Sequence, residues 1–159
     1  MPSVRQAPDP DGRDQLVHAL GDAMQQYQRS VQAFDDTVGR SLGLGPADLR
    51  CLDWLVDQAR SASALSEATG LSSAATTAMI DRLERKGFVR RSRSADDRRR
   101  VLVEMTEWGR ERAGEFYGPL VVEGTVLLAR FSTDELASML RHLQEITELT
   151  DRHRNRLRS

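Results

Sequence analysis

Residues 64–105 read ALSEATGLSSAATTAMIDRLERKGFVRRSRSADDRRRVLVEM. The pattern changes period twice within this stretch. ALSEAT is a short helical run that stops at Gly70, the residue type that tolerates the left-handed backbone of a helix end. Ser63 is its expected cap. Leu71 is a turn residue, and Ser72 can cap a following helix with Thr76, Met79, Ile80 and Leu83 inward. That helix ends at Lys86–Gly87. Phe88–Arg93 and Arg99–Met105 then alternate as strands, with Val101, Val103 and Met105 on one face. Two helices joined by a tight turn form a helix-turn-helix, whose second helix enters the DNA major groove. The hairpin behind it makes a winged helix.

Charge agrees with this. The whole chain has 159 residues, 23 basic and 24 acidic, for a net charge of −1. Between Ser72 and Arg100, however, nine basic residues face four acidic ones, a local excess of five positive charges. Phosphate binding needs that segregation. A run such as Arg98, Arg99 and Arg100 is ordinarily a solvated charged turn. With a helix-turn-helix directly upstream, it suits a hairpin tip reaching into a minor groove, where a narrow groove concentrates negative potential. Asp96 and Asp97 can orient the guanidinium groups by bidentate pairing. At about 100° per residue, the outward face of the fourth helix holds Ala74, Thr77, Ala78, Asp81 and Arg85, flanked by Ala75 and Arg82.

Outside this middle segment, Leu16, Leu20, Met24, Tyr27, Val31, Phe34 and Val38 mark one face of a long helix. Gly43 and Gly45 break it, and Pro46 opens a second helix with Leu49, Leu52, Leu55 and Val56 as its apolar set. Thr106 can cap a fifth helix running to about residue 130, and Pro119 predicts a kink in it near Tyr117. Ser132 and Glu135 have capping-box spacing for a last helix carrying Leu136, Met139, Leu140, Leu143, Ile146 and Leu149. The apolar stripes at the two ends of the chain exceed what one small middle domain can cover. They most simply pack together and against a second copy of the chain. The expected organisation is a flexible arm over 1–12, dimerisation helices over 13–43 and 106–150, a winged helix-turn-helix over 44–105, and a basic tail over 151–159. The fold class is mainly α with a small β-hairpin wing.

LGPADLRCLDWL, ALSEATGLSSAATTAMIDRLERKGFVRR and DDRRRVLVEMTEWG together resemble the MarR family of bacterial winged-helix transcription regulators. The most specific pieces are DRLERKGFV and the wing pattern of Asp97, Arg99, Val101, Val103, Thr106 and Gly109. The resemblance implies a triangular homodimer on a pseudo-palindromic operator, with Arg99 as the minor-groove arginine and Asp97 bracing the wing. It also implies an effector pocket between dimer region and DNA-binding lobe, for which Tyr27, Phe34, Trp54 and Phe116 are the candidates, though each also suits plain core. Members of the family often have Ser or Thr near positions 74 and 75 and Arg near 78, where this chain has alanine three times. Alanine offers only a methyl group, for example to a thymine methyl. Hydrogen-bond readout then falls on Ser73 and Thr77, with Arg85 as a further candidate, and the wing carries more of the specificity. Ser72, Ser73, Ala74, Thr77, Ala78, Arg82, Arg85, Asp97, Arg98, Arg99 and Arg100 are the expected DNA-binding residues.

Other functions find little support. Cys51 is the single cysteine, so the chain forms no internal disulfide, and its place among apolar residues suits a buried, inert thiol. His18, His142 and His153 lack metal-ligand spacing. No phosphate loop, nucleophile elbow or paired-acid constellation marks an enzyme, and no cofactor is expected. No apolar run approaches the ~20 residues that span a bilayer, and the polar start MPSVRQAPDPDG lacks a signal-peptide core. The expectation is a cytoplasmic, ligand-responsive repressor with double-stranded DNA, a second copy of itself and a small-molecule effector as partners. The alternatives are a ligand-independent regulator or activator, or a dimeric winged-helix module that binds protein.

Overall fold

The computed structural model describes residues 12–93 and 100–157. Six helices and two strands follow in the order α1 (Arg13–Leu42), α2 (Pro46–Leu55), α3 (Ala62–Thr69), α4 (Ser73–Arg85), β1 (Val89–Arg93), β2 (Val101–Met105), α5 (Glu107–Leu128) and α6 (Thr133–Arg156). The chain divides into two compact units, residues 1–110 and 111–159, with the boundary inside α5.

In the first unit α2 packs against α1, α3, α4 and β2, while α4 packs against α3 and β1. Its core comprises Val38, Leu44, Cys51, Leu52, Leu55, Leu65, Met79, Ile80, Leu83, Phe88, Val89, Val103 and Met105. β1 and β2 are antiparallel, in register from Val89 opposite Met105 to Arg93 opposite Val101. Arg60 adds a third, single-residue rung. Its N–H donates to the Val103 carbonyl at 2.9 Å, and the Val103 N–H donates back at 2.7 Å.

The helix ends explain the breaks. α1 closes on Gly43 at φ +64°, with the Gly43 N–H on the Arg40 carbonyl and the Leu44 N–H on the Gly39 carbonyl, a Schellman arrangement. Gly39 is required by close approach, since a Cβ there would lie 2.8 Å from the Leu44 carbonyl oxygen. α3 is capped by Ser61, not Ser63: Ser61 is extended, and its Oγ accepts the Ala64 N–H at 3.2 Å. Ser63 is already inside the first turn of the helix and shares a hydrogen bond with the Ser61 hydroxyl instead. Gly70, at φ +74°, ends α3, and its N–H donates to the Ser66 carbonyl.

Of the residues assigned to the apolar faces of α2 and the wing strands, two are exposed. Val56 lies beyond the last turn of α2, and Val101 at the first position of β2, where neither element has anything left to pack on. α5 is helical on both sides of Pro119. In the second unit, Ser132 and Glu135 form the expected capping box at the start of α6, with Ser132 Oγ accepting the Glu135 N–H at 3.3 Å. The hydrogen bonds from Ser132 hold the Glu135 carboxyl below its ordinary range. The segment expected as a basic tail is helical through Arg156, because its charges alternate at helical spacing. Arg152 pairs with Glu148 at 3.8 Å and Arg154 with Asp151 at 3.1 Å, and the basic last turn complements the helix dipole.

Candidate nucleic-acid interface

Ser72 is the extended N-cap of α4. Its Oγ accepts the Ala75 N–H at 3.3 Å, and its carbonyl takes the Thr76 N–H at 2.8 Å. The Leu71 carbonyl before it is held by the Ser66 hydroxyl at 2.7 Å, which fixes the turn between α3 and α4. Thr76, Met79, Ile80 and Leu83 are buried. The opposite stripe, Ser73, Ala74, Thr77, Ala78 and Arg85, is exposed. Thr77 Oγ1 donates its proton to the Ser73 carbonyl at 3.0 Å, so its hydroxyl oxygen faces outward as an acceptor.

Three clamps hold α4 in place. The first joins it to α2. Asp48 is 2% exposed; its Oδ2 accepts the Gly45 N–H at 3.0 Å and caps α2. The same carboxylate receives Arg82 Nη2 at 2.5 Å and Arg82 Nε at 3.3 Å. This fork raises the Arg82 pKa above its ordinary value, chiefly through the hydrogen bond to Asp48. Arg82, expected on DNA, is paired with Asp48 while its side chain stays 43% exposed. The second clamp is Lys86, whose Nζ donates to the Gly43 carbonyl at 2.7 Å and so joins the end of α4 to the end of α1.

The third clamp joins α4 to the wing. Arg91 Nη2 lies 2.5 Å from Asp81 Oδ1, and Nη1 donates to Glu84 Oε2. Glu84 Oε1 also accepts the Arg91 backbone N–H at 3.2 Å. Val103, opposite Arg91, spends both backbone groups on Arg60, so the Arg91 N–H points away from β2, toward Glu84. The hydrogen bond to Asp81 is the main cause of the raised Arg91 pKa. Arg90 pairs across the hairpin with Glu104 at 2.8 Å. Among the described residues, Arg85, Arg93 and Arg100 make no ion pair, and all three are exposed. The sequence places Arg90, Arg91 and Arg93 on the first wing strand without individual roles, and Asp48 does not stand out in it. Its position three residues into a Gly-Pro-opened helix was the available signal. Asp97, Arg98 and Arg99 lie outside the described residues.

The root of the wing is welded to α5. Thr106 Oγ1 donates to the Gly87 carbonyl at 2.6 Å and accepts the Gly109 N–H at 2.9 Å. A Cβ on Gly109 would lie 2.4 Å from the Phe88 carbonyl oxygen. Trp108 meets Phe88 edge to face at 5.0 Å.

The effector-pocket candidates are not assembled into one site by the first unit. Tyr27 and Phe34 lie on α1, with Tyr27 70% exposed, while Phe116 belongs to the second unit. Trp54 lines an open cleft of about 240 Å3 with Asp53, Asp57 and Arg60. The Arg60 guanidinium occupies its indole face at 4.9 Å. Cys51 is buried, and burial, with Asp48 adding, pushes its thiol up to about 12. No group of metal-ligating side chains occurs among the described residues, and no described helix is long and apolar enough to cross a membrane.

The profile of the MarR family matches residues 42–100, which run from the end of α1 through the helix-turn-helix to the start of β2. The transcriptional regulator BldR from Sulfolobus solfataricus is 30% identical. It superposes with a TM-score of 0.53 over 85% of this chain and 96% of its own. The chain belongs to the MarR family. This MarR-family chain is also 29% identical over 126 residues to the uncharacterised HTH-type transcriptional regulator YcgE of Bacillus subtilis, covering 79% of this chain and 82% of that protein. A mutant of MepR from S. aureus, solved bound to an oligodeoxyribonucleotide, shares the fold at 16% identity and a TM-score of 0.54, over 82% of this chain and 97% of its own. The MarR-family chain is a winged-helix transcriptional regulator and not an enzyme.

Proposed function

We propose that this MarR-family protein represses transcription in the bacterial cytoplasm as a homodimer on a pseudo-palindromic operator, and that a small-molecule effector relieves the repression. The observation that carries the reading is the exposed stripe of α4, Ser73 to Arg85, set beside a basic wing strand and clamped on three sides. That a relative of the same fold is solved bound to an oligodeoxyribonucleotide supports DNA as the partner. Each protomer places α4 in one major groove. Two such grooves on one face of the duplex lie roughly 34 Å apart. The first-turn N–H groups of α4 and the free Arg85, Arg93 and Arg100 bind phosphates. Ser73 and Thr77 read base edges, Ala74 and Ala78 offer methyl contacts, and Arg99, braced by Asp97 and flanked by Arg98, enters the minor groove.

The exposed apolar residues of α1, α5 and α6 support self-association. Leu16, Leu120, Val121, Val126, Leu140 and Leu143 are all more than half exposed, and such faces call for a partner. Repression follows when the occupied operator excludes polymerase. Effector control follows if the two reading heads have two spacings and the effector prefers the one that does not fit DNA.

Selection from a pool of random duplexes, run in parallel for wild type and Arg99→Ala, tests this. Wild type should enrich a pseudo-palindrome, and Arg99→Ala should bind more weakly with relaxed preference at the flanks. No enrichment by wild type would refute DNA recognition and favour a winged helix that binds protein. An unchanged preference in Arg99→Ala would remove the wing's role.

A further inference from the structure

The exposed stripe of α4 carries a difficulty for DNA binding. Asp81 lies on it, one turn before Arg85, and Glu84 lies beside it. Both carboxylates stand on the helix that must approach phosphates, where each would repel the duplex. A single side chain answers both. Arg91 enters from β1 and forks between them, and Glu84 in turn holds the Arg91 backbone N–H.

We propose that Arg91 is a positioning residue for DNA recognition: it offsets the carboxylates of Asp81 and Glu84 on the reading helix and fixes where β1 leaves that helix toward the wing tip. The inference rests on the DNA-binding function proposed above. A planar guanidinium with paired donors suits two carboxylates from one helix face; a lysine ammonium engages one well. Arg91 is two residues from the end of β1, so the angle at which the hairpin departs from α4 is set at this clamp. Arg90 secures the other strand through Glu104, and β1 is thereby held both to α4 and across to β2. The Arg91 side chain is one-third exposed and its guanidinium is held between two carboxylates, which distinguishes it from Arg85, Arg93 and Arg100, unpaired among the described residues.

A double-mutant cycle on full-length protein separates this role from direct phosphate contact. Wild type, Arg91→Gln, Asp81→Asn and the double variant are titrated against the labelled duplex that wild type selects and against a scrambled duplex. Thermal melts confirm that each is folded. Arg91→Gln should weaken binding about tenfold, because Asp81 and Glu84 are then left as uncompensated like charges facing the phosphates. Asp81→Asn should then improve binding in the Arg91→Gln background by about fivefold more than it does in wild type, the scale of coupling between residues in contact. Equal gains in both backgrounds would show that Arg91 acts through its own charge on DNA, and unaltered binding by Arg91→Gln would show that it has no part in recognition. Either result overturns the proposal. Should Arg91→Gln fail to melt cooperatively, the cycle run with Arg91→Lys decides, with intermediate affinity expected. If wild type itself does not distinguish the selected from the scrambled duplex, the DNA-binding function fails first, and that row alone identifies it.

Discussion

Arg82 and Asp48, 34 residues apart in sequence, meet through two hydrogen bonds at 2.5 and 3.3 Å, with the carboxylate almost fully buried. The same carboxylate caps α2 through Gly45. One acid therefore fixes both the start of α2 and the middle of α4.

Removing Arg82 leaves Asp48 as a buried anion with a single N–H partner. The loss expected for Arg82→Ala is ~1–3 kcal/mol, below the full figure for a buried pair because the Arg82 side chain is 43% exposed. Asp48→Asn should cost less, since a carboxamide oxygen can still accept from Gly45. Urea unfolding of the variants measures both, and an unchanged midpoint for Arg82→Ala would mean that the pair is ornamental.

Gly109→Ala should destabilise the joint between α5 and the wing by ~1–3 kcal/mol, because the new methyl meets the Phe88 backbone and cannot be relieved by a rotamer change. Thermal melting tests this. A variant with wild-type stability would show that α5 can shift without cost.

Thr76 Oγ1 is buried and has no hydrogen-bond partner among the described residues. Thr76→Val replaces an unsatisfied hydroxyl by a methyl of similar size, so the protein should gain about 1 kcal/mol. Destabilisation in the same unfolding assay would mean that the hydroxyl is satisfied in solution.

Cys51 should resist alkylation near pH 8 in the folded protein and react once urea is added, since a thiol with a pKa of about 12 supplies almost no thiolate. The linked effect on stability has a definite sign. The folded value lies above the unfolded value of 9.0, so the unfolded state loses its proton first. Stability should be unaffected by this group below about pH 9 and should fall as pH rises from there toward 12. Cys51→Ala should show a shallower alkaline decline than wild type. Rapid labelling of the native protein would contradict the burial of the thiol.

What could be read in the sequence was local. The Ser72 cap, the Gly70 stop, the Ser132–Glu135 box and the buried face of α4 depend on neighbours within a turn, and all are present. Ser61 and Ser63 are both competent caps, and only the backbone bond that starts α3, from the Leu65 N–H to the Ser61 carbonyl, selects between them. Periodicity overran its elements at Val56 and Val101, because a pattern does not know where its packing partner ends. The clamps were not legible. Asp48, Lys86 and Arg91 act across 34, 43 and ten residues, and nothing in their own neighbourhoods names those partners. For the same reason the pairing of Arg82, expected among the DNA-binding residues, with Asp48 could not be read. Thr106 was legible as a helix cap and Gly109 only as part of a family pattern, and the structure supplies the rest: a hydroxyl that also ties the wing root to α5 and a backbone approach too close for any Cβ.

Sequence-specific, phosphate-dependent binding by two protomers stands or falls on one titration. Wild-type protein is added to its selected duplex at ~50 and ~200 mM salt, with stoichiometry from sedimentation. Two protomers should occupy one duplex, and for about six phosphate contacts the affinity should fall by ~1,000-fold between the two salt concentrations. Binding that ignores salt, or one protomer saturating the duplex, would contradict the account.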